Sequence, residues 1–193
     1  MFSLIEIFDL MVMTAITGFI FKDLFKRRHV ERYDPIKSLT HRTKSLGMTN
    51  FYFAIAVTAP AIILHEMGHK FVAMGFGATA TFHAAYPWLM LGLVLRLMNF
   101  SFIFFVPGYV QYATAGLTAF QSMLIAGAGP FVNLAIWAAA LLVLRYKKDL
   151  SPTALQGWTL TKRINLFLFF FNMLPIPPFD GSSFFSSLFA IFG

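Results

Sequence analysis

The 193-residue chain contains no cysteine, and this absence limits the chemistry available to it. It can form neither a disulfide framework nor a thiolate metal site. A metal ion bound by this chain must therefore be held by histidine, aspartate or glutamate side chains. The chain has five histidines and eight acidic residues for that purpose.

Charged residues are also scarce, at 12% of the chain against about 25% in a typical soluble domain. Apolar residues make up 58%, and phenylalanine alone occurs 25 times. A soluble domain of this size cannot bury that much apolar surface. The composition therefore predicts a multi-pass integral membrane protein, and it argues against a disordered chain or a soluble enzyme.

The few charges are unevenly distributed along the chain. The formal net charge is +7, and residues 22–50 alone hold eight basic residues against three acidic ones. Such a segment is found in proteins that bind nucleic acid or anionic lipid. It is also typical of a loop that flanks a membrane span under the positive-inside rule, and the apolar composition favours this interpretation. We therefore expect a lipid bilayer, and no nucleic acid, as a partner.

Apolar runs predict helices that are separated by more polar segments. A first helix is expected over residues 2–21 and a second over about 51–74. Residues 119–144 are long enough to span a bilayer at about 1.5 Å per residue. A shorter apolar run covers 164–174, and the charged segment 145–163 before it is expected to be a loop.

Residues 78–113 depart from this helical pattern. The Thr-, Ala- and aromatic-rich segment 78–86 predicts a short strand, and residues 107–113 could form a second one. The apolar stretch 87–110 contains Arg96, which either snorkels from a shallow helix or guards a path for water or substrate. We expect this stretch to be interfacial, re-entrant or a hairpin. No repeat or linker divides the chain, so residues 1–193 are predicted to form one membrane domain.

The sequence His65-Glu66-Met67-Gly68-His69 lies within the second predicted helix. At about 100° per residue, the two histidines face the same side of the helix one turn apart, which suits a zinc ion. Glu66 lies beside them, as a general base acting on water at the metal would. Three ionisable groups in an apolar helix cost several kcal/mol unless they are compensated. The alternative is a histidine pair satisfied by hydrogen bonds between helices.

A second polar segment, residues 172–181, contains three prolines and a single carboxylate, Asp180. The prolines must end the preceding helix. Unwound backbone at membrane depth is tolerated where it is buried in protein or lines a wet cavity. Two histidines and one carboxylate would leave the fourth zinc position open, as a catalytic site requires. The alternative is that Asp180 caps the serine-rich segment that follows.

Together these motifs resemble a known family. His65-Glu66-x-x-His69 and Asn172-x-x-Pro175-x-x-Pro178-x-Asp180-Gly181 are similar to the motifs of the site-2 protease family of intramembrane zinc metalloproteases, peptidase family M50. Between them, Gly127-Ala128-Gly129-Pro130-Phe131-Val132-Asn133 resembles the family's Gly-Pro-x-x-Asn segment. The resemblance covers roughly residues 51–181.

This resemblance implies one zinc ion per chain, bound by His65, His69 and Asp180, with Glu66 as the catalytic base. It also implies that Asn172 helps to hold the substrate or the developing oxyanion. A side-chain amide can donate to such an oxygen, although the same amide could instead bridge two helices. Asn133 is a weaker candidate for substrate binding, because after a Gly-x-Gly-Pro stretch it could serve only to fix helix packing.

The fold class expected is an α-helical membrane protein with a three-helix catalytic core, an N-terminal helix and the insertion at 78–113. The resemblance implies an intramembrane zinc metalloprotease that hydrolyses peptide bonds in transmembrane-helix substrates, in the cell membrane of a prokaryote. Such a substrate must unwind locally before water can reach it. The alternative is a non-catalytic metal-binding scaffold or a metal transporter. A transporter would show more acids along a path than Glu6 and Asp9, the only ones in the predicted spans outside the site.

The histidine pair and Asp180 both lie towards the C-terminal ends of their predicted helices. Sharing one zinc ion requires these two ends to meet, so the two helices must run parallel. Residues 119–144 supply the crossing between them. Both basic segments, 22–50 and 145–163, then lie on one side of the membrane. The positive-inside rule makes that side cytoplasmic. The family resemblance implies the opposite orientation.

Overall fold

The computed structural model describes residues 2–25, 46–100 and 106–193, and most of the basic segment 22–50 lies outside these ranges. The described residues form six helices and one small sheet. In chain order the elements are α1 (Leu4–Phe21), α2 (Leu46–Gly75), β1 (Ala80–Ala84), α3 (Tyr86–Leu97), β2 (Gly108–Tyr112), α4 (Ala119–Tyr146), α5 (Pro152–Asn172) and α6 (Asp180–Phe192). The predicted fold class, a helical membrane protein with a short strand insertion, is confirmed.

Within the described ranges, three helices are long and apolar enough to cross a membrane: Leu4–Phe21, Met48–Gly75 and Ala119–Tyr146. Large apolar side chains on their outer surfaces are exposed, among them Phe8 and Met11 on α1. A helix in lipid satisfies its own backbone hydrogen bonds and can expose apolar side chains on its outer surface. These three helices indicate a membrane-embedded protein.

Contacts between helices fix their relative directions. Along α2 and α4, His69 contacts Ile125 and Ala61 contacts Asn133, so these two helices are antiparallel. The α-carbon of Gly68 lies so close to α4 that an added Cβ would lie 3.0 Å from the Ala128 carbonyl oxygen.

Helix α5 runs in the same direction as α2. Near its start, Gly157 faces Phe53, and further on Asn165 meets the Asn133 amide that also binds the Ala61 carbonyl. Residue numbers therefore increase in the same direction along both helices. This confirms the parallel arrangement that a shared metal site requires.

The prediction of a loop over 145–163 is wrong for most of its length. Helix α5 begins at Pro152, and the Ser151 hydroxyl caps it by accepting a hydrogen bond from the Ala154 amide. Proline is well suited to the first turn, where its missing N–H needs no partner. Of the basic residues that suggested a loop, Arg145 lies in the last turn of α4, and Lys162 and Arg163 lie in the middle of α5. The true connection is only residues 147–151.

Both strands predicted in the insertion are present. Strands β1 and β2 pair antiparallel with Phe82 opposite Val110. The intervening α3 has twelve residues, too few to span a bilayer upright, which agrees with an interfacial segment. The guanidinium of Arg96 on α3 forms an ion pair with Asp23, which follows the end of α1.

The antiparallel pair β1–β2, which we call the β hairpin although α3 lies between its strands, is anchored in a small core. Phe82 is fully buried and packs with Met13 of α1, Met67 of α2 and Leu89 of α3. Met67 lies between the two histidines of the HExxH motif. The hairpin is therefore packed directly beneath the segment that carries the predicted site.

Candidate metal centre

Three predicted ligands converge on one point. His65 and His69 lie one turn apart on α2, and Asp180 is the first residue of α6. The Nε2 atoms of the two histidines are 3.2 Å apart, and Asp180 Oδ2 lies 3.0 Å from His65 Nε2 and 3.3 Å from His69 Nε2. They form a group of side chains that could hold a metal ion.

Each imidazole is oriented by a partner on its other nitrogen. His65 Nδ1 is 2.6 Å from the Asn133 side-chain oxygen, and His69 Nδ1 is 2.7 Å from the Ile125 carbonyl oxygen. Both oxygens can only accept, so each Nδ1 carries the proton and donates it. This leaves both Nε2 lone pairs directed at Asp180, as metal-binding histidines require.

The donor set fits zinc. Two unprotonated nitrogens and a carboxylate oxygen face one another, and three acceptors at this distance need a shared cation or proton. Zinc bonds of about 2.0–2.2 Å in a tetrahedron would separate neighbouring ligand atoms by roughly 3.3 Å, which is close to the distances found here. Asp180 does not act as a helix cap: the N-cap of α6 is Phe179, which makes no side-chain cap.

Two glycines, which have no side chain, leave room for the metal-ligand side chains. A Cβ added to Gly129 of α4 would lie 2.7 Å from His65 Nε2 and still closer to His69 Nε2. Gly181, beside Asp180, is equally confined, because a Cβ there would overlap the backbone of Met173 and Leu174. These two positions let α4 and the unwound segment approach the ligands closely.

A cavity of about 510 Å³ reaches the ligand His65 from one side. Apolar side chains from the end of α1, from α2 and from α5 form most of its lining. The polar groups in the lining come from Thr58, His65, Glu66, Arg163 and Asn172. Glu66 is 7% exposed, and its carboxylate makes no hydrogen bond to any other described residue. A carboxylate that borders both the cavity and the ligands can accept a proton from a water molecule there.

Asn172, the last residue of α5, lines the same cavity. In the described part of the chain its side chain has no hydrogen-bond partner, so the amide is available to a molecule in the cavity. The structure does not show the helix-bridging contact that was the alternative for this residue.

Asn133 lies elsewhere. Its side chain is fully buried, and besides accepting from His65 it donates to the Ala61 carbonyl and to the Asn165 side chain at 2.9 Å each. Both ends of the amide are thus engaged within the protein. This placement offers no support for the predicted substrate contact and agrees with a residue that fixes packing and the orientation of His65.

Sequence reasoning missed several contributors to the site. Asn165 is one of two side-chain amides, with Asn172, in the apolar run 164–174, a signal that could have found it. The Ile125 carbonyl leaves no trace in the sequence. Tyr112 at the end of β2 is half-buried, and burial raises the pKa of its phenol, which the nearby Asp180 carboxylate raises further. The Tyr112 side chain therefore stays protonated beside the site.

Comparison with known proteins identifies relatives. The "Putative zinc metalloprotease MJ0611" of Methanocaldococcus jannaschii is 40% identical over 134 residues, which cover 68% of either chain. The "Putative zinc metalloprotease Rip2" of Mycolicibacterium smegmatis is 30% identical over 144 residues, 68% of this chain and 55% of Rip2. The Rip2 protein of Mycobacterium tuberculosis H37Rv is 32% identical with the same coverage. No protein-family profile and no solved structure matches the chain.

These similarities and the geometry of the ligands agree on the class of protein. The chain belongs to the zinc metalloprotease family that includes the Methanocaldococcus jannaschii relative. It spans about half the length of the mycobacterial relatives.

Proposed function

We propose that the protein is an intramembrane zinc endopeptidase of the site-2 protease type, which cleaves peptide bonds in transmembrane segments of membrane-bound proteins. One observation carries the proposal. The HExxH histidines lie on α2, which is long and apolar enough to span a bilayer, and their ring nitrogens meet the Asp180 carboxylate of α6. A metal centre in such a helix faces substrates that lie in the membrane. The relatives come from archaea and bacteria, which supports a location in the cell membrane of a prokaryote.

In the proposed reaction, His65, His69 and Asp180 would hold the zinc ion. When bound, zinc supplies a Lewis acid that polarises the scissile carbonyl and lowers the pKa of water. Glu66 takes the proton from the attacking water and delivers it to the leaving amine. The Asn172 side-chain N–H donates to the carbonyl oxygen as negative charge develops on it.

The substrate must reach this site in an unwound form, because the amides of an intact helix are bonded internally. We propose that the β hairpin binds the unwound segment by adding it as a further strand. The apolar cavity next to Glu66 would receive its side chains. Val106 and Pro107, which lead into β2, line that cavity, so the hairpin and the cavity are adjacent.

The test compares Glu66→Gln with the parent protein by metal analysis and by cleavage of a membrane-spanning substrate in liposomes. We expect the variant to retain zinc and to lose cleavage by about two orders of magnitude or more, the usual contribution of a general base. Asp149→Asn, in the connection between α4 and α5, is the control that removes a carboxylate remote from the site. Cleavage that survives in Glu66→Gln would refute Glu66 as the base. A zinc-loaded parent that cleaves no transmembrane substrate would favour the metal-binding scaffold.

A further inference from the structure

In the part of the chain that the structure describes, three charged side chains outside the metal centre are buried among the helices. Glu6 and Asp9 on α1 and Lys70 on α2 are 2%, 5% and 1% exposed. The proposed reaction uses none of them. Charges at such positions are costly unless they are paired, and they are commonly functional.

The two carboxylates bind the backbone of strand β1. Glu6 accepts hydrogen bonds from the Phe82 amide at 2.8 Å and from the Lys70 ammonium. Asp9 accepts from the Ala84 amide at 3.0 Å and from the Tyr86 hydroxyl at 2.5 Å. Lys70 in turn donates to the Ala80 carbonyl at 3.0 Å. One backbone group on each of Ala80, Phe82 and Ala84 is therefore held by a side chain.

The alternation of a strand shows which edge of β1 these groups occupy. Ala113 donates to the Thr79 carbonyl and Ala85 donates to the Pro107 carbonyl, so odd-numbered residues of β1 pair with β2. Even-numbered residues point their N–H and C=O groups away from β2. Glu6, Asp9 and Lys70 thus bind the outer edge of β1. Among the described residues, the free edge of the sheet is that of β2.

We infer that Glu6 and Asp9 are positioning residues: they fasten β1 to α1 so that the free edge of β2 lies at the catalytic cavity, ready for a substrate strand. This inference rests on the proposed function for its substrate. Lys70 directly follows the ligand His69, and Pro107 directly precedes β2 and lines the cavity. The network therefore fixes the hairpin relative to the metal-bearing helix, and α1 is part of the substrate-binding apparatus as well as a membrane span.

The first test replaces the ion pair with apolar side chains of similar size, Glu6→Leu together with Lys70→Met. Replacing a buried pair in this way is often neutral for folding, whereas removing one partner leaves an uncompensated charge. We expect zinc content and kcat to remain near those of the parent. KM should rise about tenfold, because the loss of a hydrogen bond to a charged group has an effect of that order. Amide hydrogen exchange should increase in residues 80–84.

Asp9→Leu is an independent variant in case the double variant fails to fold. It removes the bonds to Ala84 and Tyr86 and should give the same pattern. Thr17→Val is the matched control. Thr17 is another buried polar residue of α1, but its hydroxyl has no partner among the described residues. Its replacement should leave KM and the exchange of residues 80–84 unchanged.

The outcomes separate this inference from the proposed function. A KM equal to that of the parent in both the double variant and Asp9→Leu would overturn the inference. Loss of zinc, or faster exchange throughout α1 and α2, would make the network a general determinant of folding and overturn it as well. If the parent cleaves no substrate but residues 80–84 still lose protection in the variants, the proposed function fails while the fastening of β1 stands.

Discussion

At the scale of single residues, the space around the histidines is set by Gly129. Alanine at this position would place its methyl group 2.7 Å from His65 Nε2 and nearer still to His69 Nε2. Neither imidazole can move without losing its partner on Nδ1. We expect Gly129→Ala to lower zinc affinity by at least tenfold, as disturbed ligand orientation does. Equilibrium dialysis against a zinc buffer would measure it.

Gly157→Ala is the control for this change. A Cβ there would lie 3.6 Å from the Phe53 ring, an ordinary contact, so its zinc affinity should match that of the parent. Equal affinities in Gly129→Ala and Gly157→Ala would show that the histidines are not confined by α4.

Asn133 affects the metal without reaching it. Its Oδ1 atom holds the Nδ1 proton of His65, and Asn133→Leu would leave that proton without an acceptor in a buried place. We expect zinc affinity to fall by about 10- to 100-fold. Asn165→Leu should have a smaller effect, because Asn165 contacts Asn133 rather than the histidine. Competition with a chromogenic chelator measures both, and equal zinc affinity in Asn133→Leu and the parent would contradict the orienting role.

At the scale of secondary structure, proline is expected to have different effects at neighbouring residues of β2, because their N–H groups point to opposite edges of the strand. Gln111 belongs to a residue pair whose N–H groups bond to β1, whereas the N–H of Val110 points to the free edge. Proline removes one donor. Val110→Pro should therefore leave the hairpin paired while raising KM for a membrane substrate.

Gln111→Pro should disrupt the hairpin itself, with faster amide exchange in both strands. Zinc content, measured in the same samples, should be unchanged by Val110→Pro. A Val110→Pro variant with parental KM would contradict strand addition at this edge of β2.

The elements also show where sequence patterns mislead. The HExxH helix and the end of α5 at residues 172–173 were predictable, because periodicity and proline act locally. The start of α5 at Pro152 was not predicted, because basic residues within a helix resemble a loop when only hydropathy is considered. The Ser151-Pro152 pair was the available signal, a capping residue followed by proline.

At the scale of the whole molecule, a bound zinc ion would join distant parts of the chain. His65 and Asp180 are 115 residues apart in sequence, and α4 lies against the ligands between them. A ligand that binds only the folded state stabilises it, by about 2.7 kcal/mol at a concentration of 100 Kd. We expect a chelator to lower the thermal unfolding midpoint in detergent. For Asp180→Asn, the unfolding midpoints with and without zinc should differ much less. If the midpoint of the parent is the same with and without the chelator, the metal does not link these parts of the fold.

The sequence alone determined the solvent, the class of ligand and the three residues that could bind a metal. Composition reports directly on lipid exposure, the absence of cysteine restricts the donor atoms, and histidines four residues apart on a helix must share a face. These properties are local or additive along the chain, so no tertiary contact was needed to infer them.

Only the tertiary structure decided what holds those ligands and the hairpin. Asn133 meets His65 across 68 residues and Glu6 meets Phe82 across 76. Nothing in the spacing of such residues indicates that they touch, because a hydrogen bond between distant segments depends on how the helices pack. The same packing gave Asn133 an orienting position instead of a place in the cavity. It also brought the two acidic residues of α1, whose partners the sequence did not indicate, into hydrogen-bonding distance of the β1 backbone.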